Sequence, residues 1–156
     1  SIGSYLKVTD KGKNEHLWGV NFVSYYESLE DIELSGGRLS SGGWFFPCSF
    51  MQGGLDMFQI LAANGGYKVR FIQVTIAKTH SVKYDYFADV LSALRKVVPI
   101  EFLLVEVEVV GLVPEYRLQD FKFSARFSFE LSQNILQTIL HCTIPNDGYW
   151  LRNPNL

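Results

Sequence analysis

Three polar side chains could meet on one patch of a β-sheet if the chain reverses direction at Asn64-Gly65. This dipeptide favours a two-residue hairpin turn, because both turn positions need a positive φ. Such a turn pairs Asp56 with Gln73, and Thr75 then shares the side of Gln73 because side chains alternate along a strand. A four-residue loop keeps this pairing, whereas an odd-numbered loop moves Asp56 to the other side. A carboxylate, an amide and a hydroxyl gathered in this way offer oxygen atoms to a divalent cation.

The strands that must hold this patch are short apolar runs separated by glycine pairs. Residues 44–50, 55–61 and 67–77 are rich in apolar and β-branched side chains, and they predict three successive strands joined by tight turns. Residues 100–110 predict a further strand. Residues 121–131 alternate between apolar and polar side chains, which indicates a strand whose aromatic face is core, with a base-stacking platform as the alternative.

One helix is predicted before the first three of these strands, and a second helix directly after them. Residues 14–29 carry large apolar side chains at helical spacing, which predicts a first helix. Ser81 is the predicted N-cap of a second helix, which ends near Val98 because Pro99 disfavours a helical residue before it. Residues 133–144 fit a helix and a strand equally.

The predicted order is therefore helix, three strands, helix, strand and further β structure. A strand–helix–strand passage favours a sheet with a parallel crossover, and the early hairpins make that sheet mixed. We expect an α/β fold with a mixed central sheet flanked by helices. No internal repeat or low-complexity linker divides the sequence, so residues 1–156 are expected to form a single domain.

Composition narrows the class of protein. With 156 residues, of which 47% are hydrophobic and 15% aromatic, the chain can bury a core without a disulfide or a structural metal. The surplus of apolar residues and the start at Ser1 favour a fragment of a larger protein or a chain that pairs with itself. A net charge of −2 argues against purely electrostatic binding of nucleic acid. Two cysteines without a CxxC motif favour an intracellular setting, and no run of residues has the pattern of a membrane span or a signal peptide.

Residues 44–114 together resemble the PD-(D/E)XK nuclease superfamily. Helix, three strands, helix and strand is the core order of that superfamily, which places an Asp on the second strand and an acidic-x-Lys pair on the third. Here Asp56 takes the first position, and Gln73 and Thr75 take the other two. The run Ile-Gln-Val-Thr that contains them, the following His80 and helix, and an upstream Trp-Phe-Phe-Pro resemble a divergent group, the nuclease-like domain of Crinkler and retrotransposon hot spot proteins.

The resemblance implies a restriction-endonuclease-like αβββαβ core with an added C-terminal β region. It also implies metal-dependent hydrolysis of a phosphodiester bond in DNA or RNA, with Mg²⁺ or Mn²⁺ as the cofactor. The cation would bind a non-bridging oxygen and generate hydroxide from water. Asp56 is then the principal ligand, Gln73 supplies a neutral amide oxygen, and Glu27 on the first predicted helix adds a second carboxylate.

The third strand departs from the superfamily at both of its positions. Gln73 replaces a carboxylate, which weakens cation binding, and Thr75 replaces the Lys that polarises the attacking water. Lys78 or Lys83 could reach in from the strand end or the helix start, and His80 could orient the aspartate. The chain therefore fits two functions: a nuclease with a degenerate site, or an inactive relic that binds nucleic acid or serves as a protein-interaction or self-association domain.

The resemblance also implies a location in the nucleus and an NTPase module elsewhere in the full-length protein. The expected partners are nucleic acid, a second copy of the chain or those other domains, and not a membrane. The cations between positions 68 and 96 form either an ordinary solvated face or a basic rim around the site. The three histidines lack the spacing of a zinc site, and Cys48 lacks the flanking pattern of a thiol protease.

Overall fold

The computed structural model describes residues 4–32, 42–48, 55–63, 65–81, 84–98, 103–124 and 148–151. These residues form a mixed α/β fold, whose elements are β1 Ser4–Thr9, β2 Glu15–Val20, β3 Val23–Tyr26, β4 Gly43–Pro47, β5 Leu55–Ala63, β6 Gly66–Val74, β7 Thr79–Ser81, α1 Tyr84–Val97, β8 Leu103–Val113, β9 Lys122–Ser124 and β10 Gly148–Leu151. Short 3₁₀ turns cover Leu29–Asp31 and Glu115–Arg117.

Eight strands form one sheet in the order β2-β1-β10-β8-β6-β5-β4-β3, and β7 and β9 form a separate parallel pair. The successive strands β4, β5 and β6 pair antiparallel. The chain then passes through α1 to β8, which lies parallel to β6. The predicted α/β class, the mixed sheet and the parallel crossover are confirmed.

The α1 helix packs on one face of this sheet. Its apolar side chains recur at intervals of three and four residues, so that Phe87, Val90, Leu91 and Leu94 are buried together. Phe87 stacks on Phe71 of β6, with the ring centroids 4.1 Å apart. Burial of side chains of this size contributes about 1.5–3 kcal/mol each, which makes this face the main source of stability.

The β1–β2 hairpin covers part of the opposite face. Trp18 of β2 packs there against a second apolar cluster that includes Trp44 and Met57. The carbonyl oxygen of Gly19 accepts hydrogen bonds from the indole N–H of Trp44 at 2.8 Å and from Nε2 of Gln59 at 3.0 Å. Because β2 and β4 lie near opposite edges of the sheet, these contacts require the sheet to curve strongly.

The prediction of a first helix over residues 14–29 is wrong. Residues 14–29 hold β2, β3, the turn that joins them and the start of the 3₁₀ turn Leu29–Asp31, and not an α-helix. Pairing with β1 overrides the helical spacing: Trp18 is buried while the neighbouring Leu17 is 63% exposed, which is the alternation of a strand. Ser81 ends β7 and α1 covers Tyr84–Val97, while residues 82 and 83, between them, lie outside the described part of the chain, so that the N-cap stays a prediction.

The predictions for the C-terminal part are tested only at its start. Within the predicted strand over residues 121–131, β9 covers Lys122–Ser124, and residues 125–131 lie outside the described part of the chain. Residues 133–144 lie outside it as well. Phe121 is fully buried, which agrees with the expectation of core for that ring.

Candidate functional site

The β5–β6 hairpin has the register that its turn chemistry predicts. Ala63 pairs with Gly66, which leaves a two-residue connection, and Gly65 has a φ of +81°. Asp56 is the cross-strand partner of Gln73. Partners of this kind lie on the same face of a sheet, so positions 56 and 73 share the face that carries α1.

The two polar residues predicted on the third strand are both buried. Gln73 is 1% exposed and Thr75 is 7% exposed. The N–H of Thr75, just beyond β6, donates to the carbonyl of Leu112 at 3.1 Å, and its Oγ1 accepts a hydrogen bond from the N–H of Ala77, also at 3.1 Å. The hydroxyl therefore stabilises the turn that takes the chain away from the sheet.

An aromatic ring fills the space beside Gln73. Gly111 of β8 is the parallel partner of Gln73, and a Cβ added to Gly111 would lie 2.4 Å from Cε1 of Phe121. The ring of Phe121 thus lies against the Gly111 backbone, on the face that Gln73 shares, and is itself fully buried. Core packing therefore lies beside the position of Gln73.

The other predicted site residues come from separate parts of the fold. Glu27 follows β3, and β3 lies three strands from the β6 strand of Gln73, or about 14 Å at the usual strand spacing. The side chain of Lys78 is 66% exposed and lies beyond the end of β6. His80 lies in β7, outside the main sheet, and Lys83 lies outside the described residues.

The described side chains of Gln73, Thr75 and Glu27 do not converge as ligands of Mg²⁺ or Mn²⁺ do, and the side chain of Asp56 lies outside the described part of the chain. Such a cation needs oxygen ligands about 2.0–2.1 Å away and keeps several waters. Gln73 is 1% exposed, the hydroxyl of Thr75 accepts a hydrogen bond, and Glu27 follows β3, which lies three strands from β6. In the described ranges, no three His, Cys, Asp or Glu side chains cluster as metal ligands do. No catalytic step is therefore assigned to a metal.

Cations from distant parts of the sequence meet where β6 and β8 end. Nζ of Lys11, in the β1–β2 turn, donates to the carbonyl of Phe121 at 2.8 Å. The N–H of Lys122 donates to the carbonyl of Lys78 at 3.1 Å. These bonds bring the β1–β2 turn, the segment after β6 and the segment after β8 to one surface.

The segment after β8 adds an aromatic ring to this surface. Tyr116 is 71% exposed, and the guanidinium carbon of Arg117 lies 5.5 Å from its ring centroid. Nε of Arg117 donates to the carbonyl of Ile76 at 3.2 Å, which ties this segment to the end of β6. We call this surface the basic end and define it by Lys11, Lys78, Tyr116, Arg117 and Lys122.

The cations predicted as a basic rim do not all lie at the basic end. Lys68 and Arg70 pair with Glu108 on the other face of the sheet, at 3.0 and 2.9 Å, and the guanidinium of Arg70 lies 4.5 Å from the ring centroid of Trp18. Burial raises the pKa of the Glu108 carboxyl, but the charge of Arg70 and hydrogen bonds from both cations outweigh burial and hold that pKa below its ordinary value. This cluster joins β6, β8 and β2 and does not form a rim.

Tyr116, Arg117, Lys122 and Lys11 are not among the site residues that the sequence predicts. Tyr116 and Arg117 follow Pro114 in a stretch without hydrophobic periodicity, which by pattern alone is an ordinary loop, and Lys122 lies on the polar side of the predicted strand over residues 121–131. Their convergence with the β1–β2 turn becomes visible only in the folded chain.

No family model, curated protein or solved structure matches this chain. Among the helices that the structure describes, none is long and apolar enough to cross a membrane. The function is therefore inferred from the geometry of the fold and from the sequence pattern.

Proposed function

We propose that this chain is a nucleic-acid-binding domain whose core is related to the PD-(D/E)XK nucleases and whose site does not cleave. The order β4, β5, β6, α1 and β8 supports the relationship, since it repeats three strands, a helix and a parallel strand. The pairing of Asp56 with Gln73 supports it further, because the superfamily places its metal ligands on the second and third of these strands. Residues 14–29 form strands where the superfamily has a helix, which makes the chain a divergent relative.

The surroundings of Gln73 and Thr75 support the absence of cleavage. Metal-dependent hydrolysis needs an open position where a cation, a water and the phosphodiester meet. The ring of Phe121 lies against Gly111, the strand partner of Gln73, and Thr75 brings no charge and already accepts a hydrogen bond from the N–H of Ala77.

The basic end is the observation that carries nucleic-acid binding. Affinity for nucleic acid comes largely from Lys and Arg contacts to phosphates. The chain has a net charge of −2, so a gathering of four cations (Lys11, Lys78, Arg117 and Lys122) with Asp120 as the acid paired among them departs from the balance of the whole. It lies at the end of β6 and β8, next to Gln73 and Thr75, where a nuclease of this architecture would hold its substrate.

A binding and cleavage assay tests this function. Fluorescein-labelled DNA and RNA, single-stranded and duplex, are titrated with the protein in Mg²⁺, in Mn²⁺ and in EDTA. Anisotropy should rise equally in all three conditions, and gels should show intact strands. Asp56→Asn, which removes the charge at nearly constant size, should bind like the parent. Absence of binding to every nucleic acid contradicts the proposal.

The Asp56–Gln73 register favours metal-dependent hydrolysis as a second candidate. Its signature is cleavage that requires Mg²⁺ or Mn²⁺ and disappears in Asp56→Asn. Cleavage that persists in Asp56→Asn would come from a contaminating nuclease or from another site, and would support neither candidate.

A further inference from the structure

We propose that the basic end binds a single strand of nucleic acid, with one base stacked on Tyr116 and the neighbouring phosphates held by Lys78 and Lys122. This inference rests on the proposed function and adds the form of nucleic acid and the residues that hold it. It also identifies Asp120 as an acid that weakens the binding.

Tyr116 is suited to stack on a base because its ring is held outside the core. The ring is 71% exposed, although Tyr usually buries much of its surface. Pro114 and the 3₁₀ turn Glu115–Arg117 fix the backbone that carries it, and Arg117 is anchored to the carbonyl of Ile76. A ring presented on an ordered turn loses little entropy when a base stacks on it.

Lys78 and Lys122 are suited to hold phosphates because they are exposed and adjacent. The N–H of Lys122 donates to the carbonyl of Lys78, so the backbones of the two residues lie side by side. The side chain of Lys78 is 66% exposed. Arg117 adds a third cation beside the tyrosine ring, 5.5 Å from its centroid.

The exposed ring favours a single strand over a duplex. In a duplex both faces of each base are covered by neighbouring bases, so no base face is available to Tyr116 without unstacking. In a single strand the bases can separate and stack on an aromatic side chain, and any base can do so because each has a π-face. DNA and RNA share this chemistry, so both are tested.

Asp120 lies among these cations and competes with phosphate for them. Its Oδ2 is 3.3 Å from a terminal nitrogen of Arg117 and 4.0 Å from Nζ of Lys78. The side chains of Arg117 and Asp120 are 34% and 39% exposed and that of Lys78 is 66% exposed, so both ion pairs are partly screened by water and contribute little stability. Replacing Asp120 with asparagine should release both cations at a small cost in folding.

The experiment measures anisotropy of short fluorescein-labelled oligo(dT), oligo(U) and a duplex over a series of salt concentrations. The parent should bind both single strands more tightly than the duplex. Tyr116→Leu should weaken single-strand binding about fivefold or more, the loss expected for one stacked base. Its matched control is Tyr25→Leu, because Tyr25 is also 71% exposed but lies on the edge strand β3, and this variant should bind like the parent.

The cation variants separate phosphate contacts from general charge. Lys78→Gln and Lys122→Gln should each reduce the slope of log K against log salt by about 0.7, the value for one phosphate contact in a single strand. Lys96→Gln makes the same charge change in the last turn of α1, about 20 Å along the helix from its start, and should leave the slope unchanged. Asp120→Asn should bind more tightly than the parent, which a merely structural role would not produce.

The outcomes distinguish this inference from the proposed function. Binding that is equal in Tyr116→Leu, Lys78→Gln and Lys122→Gln would overturn the placement at the basic end and leave nucleic-acid binding intact. Tighter binding of the duplex would overturn the single-strand preference. Loss of binding in the Tyr25→Leu and Lys96→Gln controls as well would overturn the placement, and circular dichroism of every variant shows whether a loss reflects unfolding.

Discussion

Replacing Gly111 with alanine is expected to destabilise the domain, because the new methyl group meets the ring of Phe121. An alanine Cβ would lie 2.4 Å from Cε1 and 2.6 Å from Cζ of that ring, and real Cβ contacts essentially never fall below 3.0 Å. Alanine gains about 0.5–1 kcal/mol over glycine inside a strand from reduced backbone entropy. Overpacking a buried site costs about 1–3 kcal/mol. We expect a net loss of about 1–2 kcal/mol in the free energy of unfolding.

Shortening the ring tests whether this contact is the cause. Phe121→Leu removes Cε1 and Cζ, so Gly111→Ala combined with Phe121→Leu should cost less than the sum of the two, by about 1 kcal/mol or more. Urea unfolding followed by tryptophan fluorescence gives the three free energies. Gly65→Ala is the control, since Gly65 has a φ of +81° and open space around an added Cβ. That variant should lose about 1–2 kcal/mol to backbone strain, independently of Phe121→Leu. Additive effects of the Gly111 and Phe121 changes would refute the placement of the ring beside Gln73.

Two further predictions concern charged groups. Burial raises the pKa of Glu108, but the charge of Arg70 and the hydrogen bonds from Arg70 and Lys68 together lower it by more, so the folded pKa lies below the ordinary carboxyl value. The contribution of Glu108 to stability is therefore complete above the ordinary pKa and is lost as the pH falls through the folded pKa. The melting temperature of Glu108→Gln should therefore fall less than that of the parent as the pH is lowered. It should also cost about 3 kcal/mol at neutral pH, because Arg70 loses its anion; an unchanged acid profile would contradict the pairing. A hydrogen bond from His16 at 2.8 Å lowers the pKa of Asp10, so His16→Ala should raise that pKa towards its ordinary value in an NMR titration, and an unchanged pKa would show that the bond is absent in solution.

The elements that depend on neighbours in the sequence were predictable from it. The Asn64-Gly65 turn determined the pairing of Asp56 with Gln73, because a two-residue turn leaves one register. The apolar spacing over Tyr84–Val97 located α1 to within a few residues.

The elements that depend on distant contacts were not predictable in this way. Trp18 has helical spacing with its neighbours, yet pairing with β1 and packing on Arg70 place it in a strand. Gln73 and Thr75 form a polar pair suited to a half-exposed strand, yet a ring from far along the chain, Phe121, fills the space beside Gln73. The basic end likewise depends on a contact between residues 110 positions apart, which no local pattern reveals.

A crystal structure of the protein with Mn²⁺ and a short single-stranded oligonucleotide tests the central claim most directly. Anomalous scattering locates Mn²⁺ without reference to the protein density. We predict nucleotide density at the basic end, with a base against Tyr116, and no anomalous peak between Asp56 and Gln73. An anomalous peak between those two residues with a phosphate bound to it would show a working metal centre and contradict a domain that binds without cleaving.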